Sequence, residues 1–232
     1  MSSGLRTKEL VRDRLQVVQE RVAEALHKSG RKKGEVRILV AGKYYSLEQV
    51  AALAGAGVDL IGENRAEDLL EKQEIFKDKF EWHFIGHLQR RKVRLVVDRV
   101  SLVHSVDSIR LVEELAKRAP KRGIEILVQV NVSNEESKYG VEEGEIEPLL
   151  EAVALTGGKV QARGLTTLAP VVEDQENVRY VFAKLREIRD GLKNSWGSHF
   201  DLSELSMGMS NDYEVAVEEG ATTVRIGRAL IE

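Results

Sequence analysis

Cysteine is absent from this 232-residue chain, and no apolar run approaches the length of a membrane span. The first absence excludes disulfide bonds and thiolate-bound metals, and it is compatible with a reducing cellular interior. The second leaves no stretch near the roughly 20 apolar residues of a transmembrane helix, and the first residues also lack the apolar core of a signal peptide. We therefore expect a soluble, cytoplasmic protein.

The charge of the chain has no strong sign either. Its 35 Lys and Arg residues nearly balance 38 Asp and Glu residues, and the net charge is -3. This balance favours neither nucleic acid nor an anionic membrane as a partner. The basic run at residues 89–94 lies within a segment, 88–97, whose apolar positions predict a helix with a solvated charged face. We expect no nucleic-acid and no membrane partner.

Helical patterns and short apolar runs alternate along the chain. Residues 5–28 have apolar positions three or four apart, which predicts an amphipathic helix before the first strand. Aliphatic runs then predict eight strands, at 36–42, 58–62, 82–86, 101–106, 124–131, 160–165, 202–208 and 222–227. Strands joined by helical crossovers pair in parallel, and eight such units in about 200 residues favour a closed barrel. We predict an α/β fold in which residues 1–232 form a single (β/α)8 TIM barrel with an extra N-terminal helix.

An open, doubly wound sheet is the alternative fold. Dinucleotide-binding sheets of that type carry Gly-x-Gly-x-x-Gly directly after the first strand. This chain has no such sequence there, and Gly55-Ala56-Gly57 precedes a strand instead of following one. The barrel is therefore the favoured architecture.

Functional groups of a barrel lie at the C-terminal ends of its strands, and the first predicted strand ends at Lys43. Burial there would lower the pKa of the amine and free it to attack a carbonyl, as in Schiff-base chemistry. A lysine that only extends its amine to solvent would fit the same segment. No cluster of carboxylates follows the strands, which disfavours metal-assisted and paired-acid hydrolysis. His83 and His87 lie four residues apart on an extended segment, and we expect no metal site.

Two loops after the seventh and eighth strands suit an anion. Met209 and Ser210 lie where strand seven runs into a helix, and Arg225, Gly227 and Arg228 end strand eight. Backbone N–H groups at a helix start, and the room beside a glycine, resemble the phosphate site that barrels often build from these two loops. Ordinary turns also contain glycine, but both loops together with a lysine on strand one are less easily explained that way.

Six segments, in order over nearly the whole chain, match one family. They are Ala-Gly-Lys at 41–43, Ile-Gly-Glu-Asn-Arg at 61–65, His-Phe-Ile-Gly-His-Leu-Gln at 83–89, Gly-Leu-Thr-Thr-Leu-Ala-Pro at 164–170, Ser-Met-Gly-Met-Ser at 206–210 and Val-Arg-Ile-Gly at 224–227. With them the chain resembles the pyridoxal phosphate homeostasis proteins, which are related to the N-terminal barrel of alanine racemases.

This resemblance implies pyridoxal 5′-phosphate (PLP) as the cofactor and assigns roles to the candidate residues. Lys43 would hold PLP as a Schiff base, and Asn64 would lie near the ring. Ser210, in the loop that also contains Met209, would hold the phosphate together with the backbone of Gly227 and Arg228. Arg225 would approach the pyridine nitrogen.

An arginine beside the pyridine nitrogen leaves that nitrogen unprotonated, because an arginine does not give up its proton, and it weakens the cofactor as an electron sink. Alanine racemases work with such an arginine but use a second base, a tyrosine from an additional C-terminal β domain, whereas this chain ends at Glu232 after the eighth unit. We therefore predict a monomeric PLP carrier in vitamin B6 and amino-acid homeostasis, without clear catalytic turnover. PLP-dependent apoenzymes are its candidate recipients. A PLP-dependent racemase or lyase is the alternative, and an interaction module without a ligand is a third.

The chain departs from the family pattern at two positions near these candidates. The usual serine before the lysine is Gly42, and the small residue often found after Arg-Ile-Gly is Arg228. Arg228 would either add a charge-assisted contact to the phosphate or point to solvent.

Overall fold

Eight parallel strands close into a barrel in the computed structural model of the chain, which describes residues 2–133, 135 and 139–231. The strands are β1 (Arg37–Ala41), β2 (Leu60–Glu63), β3 (Glu81–Phe84), β4 (Leu102–Val106), β5 (Ile124–Gln129), β6 (Val160–Thr166), β7 (Glu204–Met209) and β8 (Thr223–Ile226). Each strand pairs with its sequence neighbours, and β8 pairs with β1. The predicted barrel is confirmed, and the open sheet is wrong.

Helices surround the barrel and connect its strands. They are α1 (Ser2–Lys28), α2 (Leu47–Gly55), α3 (Ala66–Phe76), α4 (Val93–Val96), α5 (Ile109–Arg118), α6 (Ile146–Ala154), α7 (Arg179–Trp196) and α8 (Tyr213–Glu218). Within the described part of the chain, no helix is both long enough and apolar enough to cross a membrane.

The extra N-terminal helix of the prediction is α1, and its apolar stripe is buried. Val11, Val18 and Val22 on that stripe are almost fully inaccessible to solvent, whereas Val17 on another face is 47% exposed. The stripe packs against α2 and α8, next to β1 and β8. The amphipathic pattern of residues 5–28 therefore serves to attach α1 to the barrel.

The basic segment between β3 and β4 differs from the prediction. A helix over 88–97 was expected, but Arg90–Lys92 form a short 3-10 turn and only Val93–Val96 are α-helical. Gln89 is in an extended conformation, so the helix cannot begin before it. Lys92 Nζ lies 2.8 Å from a Glu67 oxygen on α3, which pairs one charge of the run with a neighbouring helix.

Polar side chains also cross the interior of the barrel. Ser206 on β7 accepts a hydrogen bond from Arg225 on the neighbouring strand β8, and it contacts His104 on β4. Because β4 and β7 are three strands apart around the barrel, the contact between His104 and Ser206 spans the interior. Above this layer, the strand ends lead into the loops that form a cavity.

Candidate functional site

A cavity of about 700 Å³ opens at the C-terminal face of the barrel, between the loops that follow β1, β2, β6, β7 and β8. All seven residues selected from the sequence line it, namely Lys43, Asn64, Met209, Ser210, Arg225, Gly227 and Arg228. The structure therefore brings the candidates together at the face where barrels place their sites. The role of each toward a ligand stays a prediction.

Lys43 lies in a 3-10 turn, Gly42–Tyr44, directly after β1. Its side chain is exposed, and its Nζ lies 4.7 Å from the centroid of the Tyr44 ring. The prediction that this amine is buried is wrong, because the turn carries Lys43 beyond the end of the buried strand. The amine is instead accessible in the wall of the cavity, where a dissolved ligand can reach it.

A buried ion pair supports the turn that carries Lys43. Lys72 Nζ on α3 donates to Glu63 Oε1 on β2 and to the carbonyl oxygen of Gly42, both at 2.7 Å. Burial raises the pKa of Glu63, and the Lys72 ammonium opposes that effect. A Cβ atom at position 42 would overlap Glu63 Oε1. The glycine that replaces the family's usual serine thus leaves space for the carboxylate.

Asn64 presents an unpaired acceptor beside the cavity. Its Oδ1 is buried and has no hydrogen-bond partner among the described residues. Gly86 brings the loop after β3 close to it, because a Cβ atom at position 86 would overlap the Asn64 carbonyl oxygen. An unpaired buried acceptor costs free energy, and a donor group on a ligand would remove that cost. Asn64 is therefore suited to accept from a hydroxyl.

Arg225 forms the deepest charged group of the site, and its side chain is almost completely buried. One terminal nitrogen, NH1, donates to Thr166 Oγ1 at 3.1 Å and to Ser206 Oγ at 2.7 Å, and NH2 donates to the Thr167 carbonyl oxygen at 2.8 Å. Burial lowers the pKa of Arg225 to about 10, which still leaves the guanidinium charged at neutral pH. NH2 carries two hydrogens and makes one hydrogen bond to the described residues, so its second N–H is available to a neutral acceptor.

The loops after β7 and β8 meet at one end of the cavity. The backbone N–H of Gly227 donates to Ser210 Oγ at 3.2 Å. A 3-10 turn, Arg228–Leu230, follows, and the first N–H groups of such a turn have no partner inside it. A side chain at position 227 would lie within 2.7 Å of the Tyr44 ring, which only glycine avoids. These loops offer the backbone donors and the space that an anion needs.

Two tyrosines that the sequence did not select connect the first and last loops. The Tyr45 hydroxyl is buried and donates to the Gly227 carbonyl oxygen at 2.7 Å. Tyr44 lines the cavity, and Cζ of the exposed Arg228 lies 5.7 Å from its ring centroid. Their position directly after Lys43 was the signal that could have identified them, because residues after a barrel strand reach the site.

Other strand-end residues lie apart from the cavity or hold its wall. His87 stacks on Tyr139 with ring centroids 4.3 Å apart, and its Nδ1 lies 3.6 Å from Asp107 Oδ2. Asp212, also unselected, lines the cavity and accepts from the Met209 backbone N–H at 2.6 Å, and burial raises its pKa. Over the ranges that the structure describes, no three His, Asp or Glu side chains form a metal-binding group.

Comparison with known proteins finds relatives over nearly the full chain. The family model described as alanine racemase, N-terminal domain, matches residues 15–231. The chain is 43% identical over 221 residues to the pyridoxal phosphate homeostasis protein of Aquifex aeolicus, covering 94% of this chain and 96% of that protein.

Solved structures share the fold at similar coverage. A structure of PipY from Synechococcus elongatus PCC7942 with PLP bound has a TM-score of 0.79 and 30% identity, and the match covers 91% of this chain and 100% of that one. An unknown protein from Bifidobacterium adolescentis has a TM-score of 0.88 and 32% identity, over 97% and 96% of the two chains.

Proposed function

The chain belongs to the alanine racemase N-terminal domain family and, within it, to the pyridoxal phosphate homeostasis proteins, and from this membership we propose that it binds PLP and carries it in vitamin B6 and amino-acid homeostasis. One observation supports this above all. A lysine amine, a buried arginine and two loops suited to an anion line a single cavity of about 700 Å³.

The described residues fit PLP at separate points of the molecule. Lys43 Nζ is accessible to the aldehyde, with which it would condense to a C=N Schiff base with release of water. The unpaired Asn64 Oδ1 suits the ring hydroxyl. Ser210 and the backbone at Gly227 and Arg228 would hold the phosphate.

Arg225 favours binding over turnover. PLP supplies an electron sink for carbanions, and that sink is strongest when the pyridine nitrogen is protonated. The Arg225 guanidinium can donate a hydrogen bond to this nitrogen but does not transfer its proton to it at neutral pH. A cofactor held in this way is retained with its carbanion chemistry weakened, which suits a carrier.

Reduction with borohydride tests the binding site. PLP is added to the purified protein, the mixture is reduced, and the adduct is located by mass spectrometry of the digested chain. We expect one stoichiometric adduct on Lys43 and its loss in Lys43→Ala. Lys117→Ala, which removes an exposed lysine on α5, is the matched control and should keep the adduct. Equal labelling of Lys43→Ala and the wild type would contradict the proposal.

Turnover assays separate the carrier from the alternative enzyme. The wild type and Lys43→Ala are incubated with PLP and a panel of amino acids, and chiral chromatography follows racemisation and loss of substrate. We expect the two proteins to give the same slow background. A rate that depends on Lys43 would favour a racemase or lyase.

We further propose that the protein works as a cytoplasmic monomer in which residues 1–232 act as one domain, and that its recipients are PLP-dependent apoenzymes. The exposed Lys43 amine supports delivery, because a recipient can reach a cofactor at an open barrel face. Light scattering measures the mass in solution. Reactivation of an apoenzyme in the presence of an enzyme that consumes free PLP tests direct transfer.

A further inference from the structure

A line of buried polar side chains crosses the barrel below the cavity. His83, His104 and Ser206 are each no more than 3% exposed. His83 Nδ1 lies 3.0 Å from His104 Nε2, and His104 Nδ1 lies 3.0 Å from Ser206 Oγ. One end of the line is Arg225 NH1, 2.7 Å from Ser206 Oγ, and the other is Glu81 Oε1, 2.9 Å from His83 Nε2. We call these five residues the barrel relay.

Arg225 determines the direction of every hydrogen bond in the barrel relay. A guanidinium only donates, so Ser206 Oγ accepts from it and gives its single hydrogen to His104 Nδ1. His104 then carries its own hydrogen on Nε2 and donates to His83 Nδ1. His83 in turn carries its hydrogen on Nε2 and donates to the Glu81 carboxylate. All donors therefore point from Arg225 toward Glu81.

The reverse direction would leave a hydroxyl unpaired. If His83 were an imidazolium, His104 would donate from Nδ1 to Ser206 Oγ, which already accepts from Arg225. Ser206 Oγ contacts only these two groups among the described residues, so its hydrogen would be buried without an acceptor. Burial also lowers the pKa of His104 well below its usual range, in agreement with a neutral ring.

Charged groups at both ends support the same direction. At the far end, the pKa of Glu81 is lowered mainly by the hydrogen bond from His83, with help from Arg37 and Ser101, so the carboxylate stays ionised. The other charged groups near the relay are Asp59 and Glu204, which face Arg37, and Asp212, which faces Arg225.

We propose that His83, His104 and Ser206 are positioning residues, which fix the Arg225 guanidinium as an oriented donor beneath the cavity and link its charge to Glu81 through a one-directional relay. None of the three lines the cavity, so they act through Arg225. The inference rests on the proposed function in one respect, because the acceptor that Arg225 would meet is the pyridine nitrogen of PLP.

Nuclear magnetic resonance of the protein without PLP tests the relay itself. Long-range ¹⁵N–¹H correlation of the imidazoles at neutral pH distinguishes the two neutral tautomers from the imidazolium. We expect both His83 and His104 as neutral rings with hydrogen on Nε2. An Nδ1–H tautomer or an imidazolium at either residue would overturn the proposal. This measurement does not depend on whether PLP binds.

Two substitutions of His104 test the link to the cofactor. Gln offers both an acceptor and a donor and can continue the relay, whereas Leu has neither. We expect His104→Leu to weaken PLP binding about fivefold and to shift the absorption band of the bound cofactor, and His104→Gln to stay near the wild type. Equal behaviour of His104→Leu and the wild type, or of both variants, would refute the role in positioning.

The outcomes for the two proposals can be told apart. If the wild type binds no PLP, the proposed function fails while the tautomer measurement still decides on the relay. If the wild type binds PLP but His104→Leu does not change affinity and spectrum, only the relay fails. Ser206→Ala replaces His104→Leu if the latter lacks a cooperative thermal transition, and it is expected to give the same loss of affinity and the same direction of spectral shift.

Discussion

Gly42 leaves the space in which Glu63 and Lys72 meet beneath the Lys43 turn. Any side chain there would overlap Glu63 Oε1, and both members of the ion pair are buried, with 2.7 Å between their charged atoms. Separating a buried pair costs about 3–5 kcal/mol when one charge loses its partner. Because Glu63 can move in part, we expect Gly42→Ala to lower the free energy of unfolding by about 2–4 kcal/mol. Urea denaturation followed by circular dichroism measures this loss.

Gly191→Ala is the matched control for that substitution. Gly191 lies inside α7, where an added Cβ atom would meet no other atom within 4 Å, and alanine is the better helix former. We expect it to be neutral or to stabilise the protein by up to about 1 kcal/mol. Equal urea midpoints for Gly42→Ala and the wild type would show that the ion pair does not need the glycine.

Sequence reasoning identified side chains that reach the cavity but not those that hold them. Lys43, Ser210 and Arg225 were identifiable because each lies at or just after a strand end, and strand ends converge in a barrel. The contact between Glu63 and Lys72 joins β2 to α3, and only packing decides that these two charges meet. The exposure of Lys43 was missed for a related reason, since no local pattern announced the 3-10 turn after β1.

Among the elements, α1 gives a direct test of how a helix is attached to the barrel. Val11 is completely buried against the barrel side of the helix, and Val17 on the same helix is 47% exposed. Removing two buried methyl groups costs about 1.5–3 kcal/mol, whereas the same change at an exposed position costs little. We expect Val11→Ala to lower the free energy of unfolding by that amount and Val17→Ala to change it by less than about 0.5 kcal/mol.

The two α1 variants control for one another, because their chemistry and helix are the same. Urea unfolding followed by circular dichroism and by tryptophan fluorescence should show one shared transition for each. Equal losses in both variants would contradict the assignment of the buried stripe. Separate transitions for the two probes would contradict the proposal that α1 and the barrel form one domain.

Element boundaries show where periodicity is a sufficient guide. The eight strands were predictable because buried parallel strands are short aliphatic runs, and their crossovers have a helical period. The segment at 88–97 was not, because its apolar spacing suits a helix while the backbone at Gln89 is extended and the helix begins only at Val93. Spacing records which face is apolar, but it does not record how a connection enters its helix.

For the whole molecule, closure of the barrel was predictable from the number of units, but its polar interior was not. Eight strands joined by crossovers leave room for a closed sheet, whereas the barrel relay depends on three strands that meet across that sheet. His83 was considered in the sequence only as a metal ligand, and the metal-pair spacing to His87 concealed its partner, His104. Interior polar contacts of this kind become visible only when strand register is known.

The buried, neutral His104 makes the stability of the whole protein depend on pH. In the unfolded chain its pKa lies near the usual value of 6.5, and in the folded protein burial lowers the pKa well below that. Above pH 6.5 both states are neutral, and His104 contributes no pH dependence. As the pH falls below 6.5, the unfolded chain takes up a proton that the folded protein refuses, so the folded state loses stability. The loss should be about 1 kcal/mol between about pH 6.5 and about pH 5.5.

Urea unfolding of the protein without PLP at these pH values measures the loss, and His104→Gln isolates it. Glu63, Asp107 and Asp212 have raised pKa values and oppose the effect, because the folded state binds their protons first as the pH falls. They are present in both proteins, and subtracting the two pH profiles removes their contribution. We expect the wild type to lose about 1 kcal/mol more than His104→Gln over this interval. Parallel profiles would mean that His104 takes up its proton equally in both states, which a neutral imidazole enclosed between His83 and Ser206 does not allow.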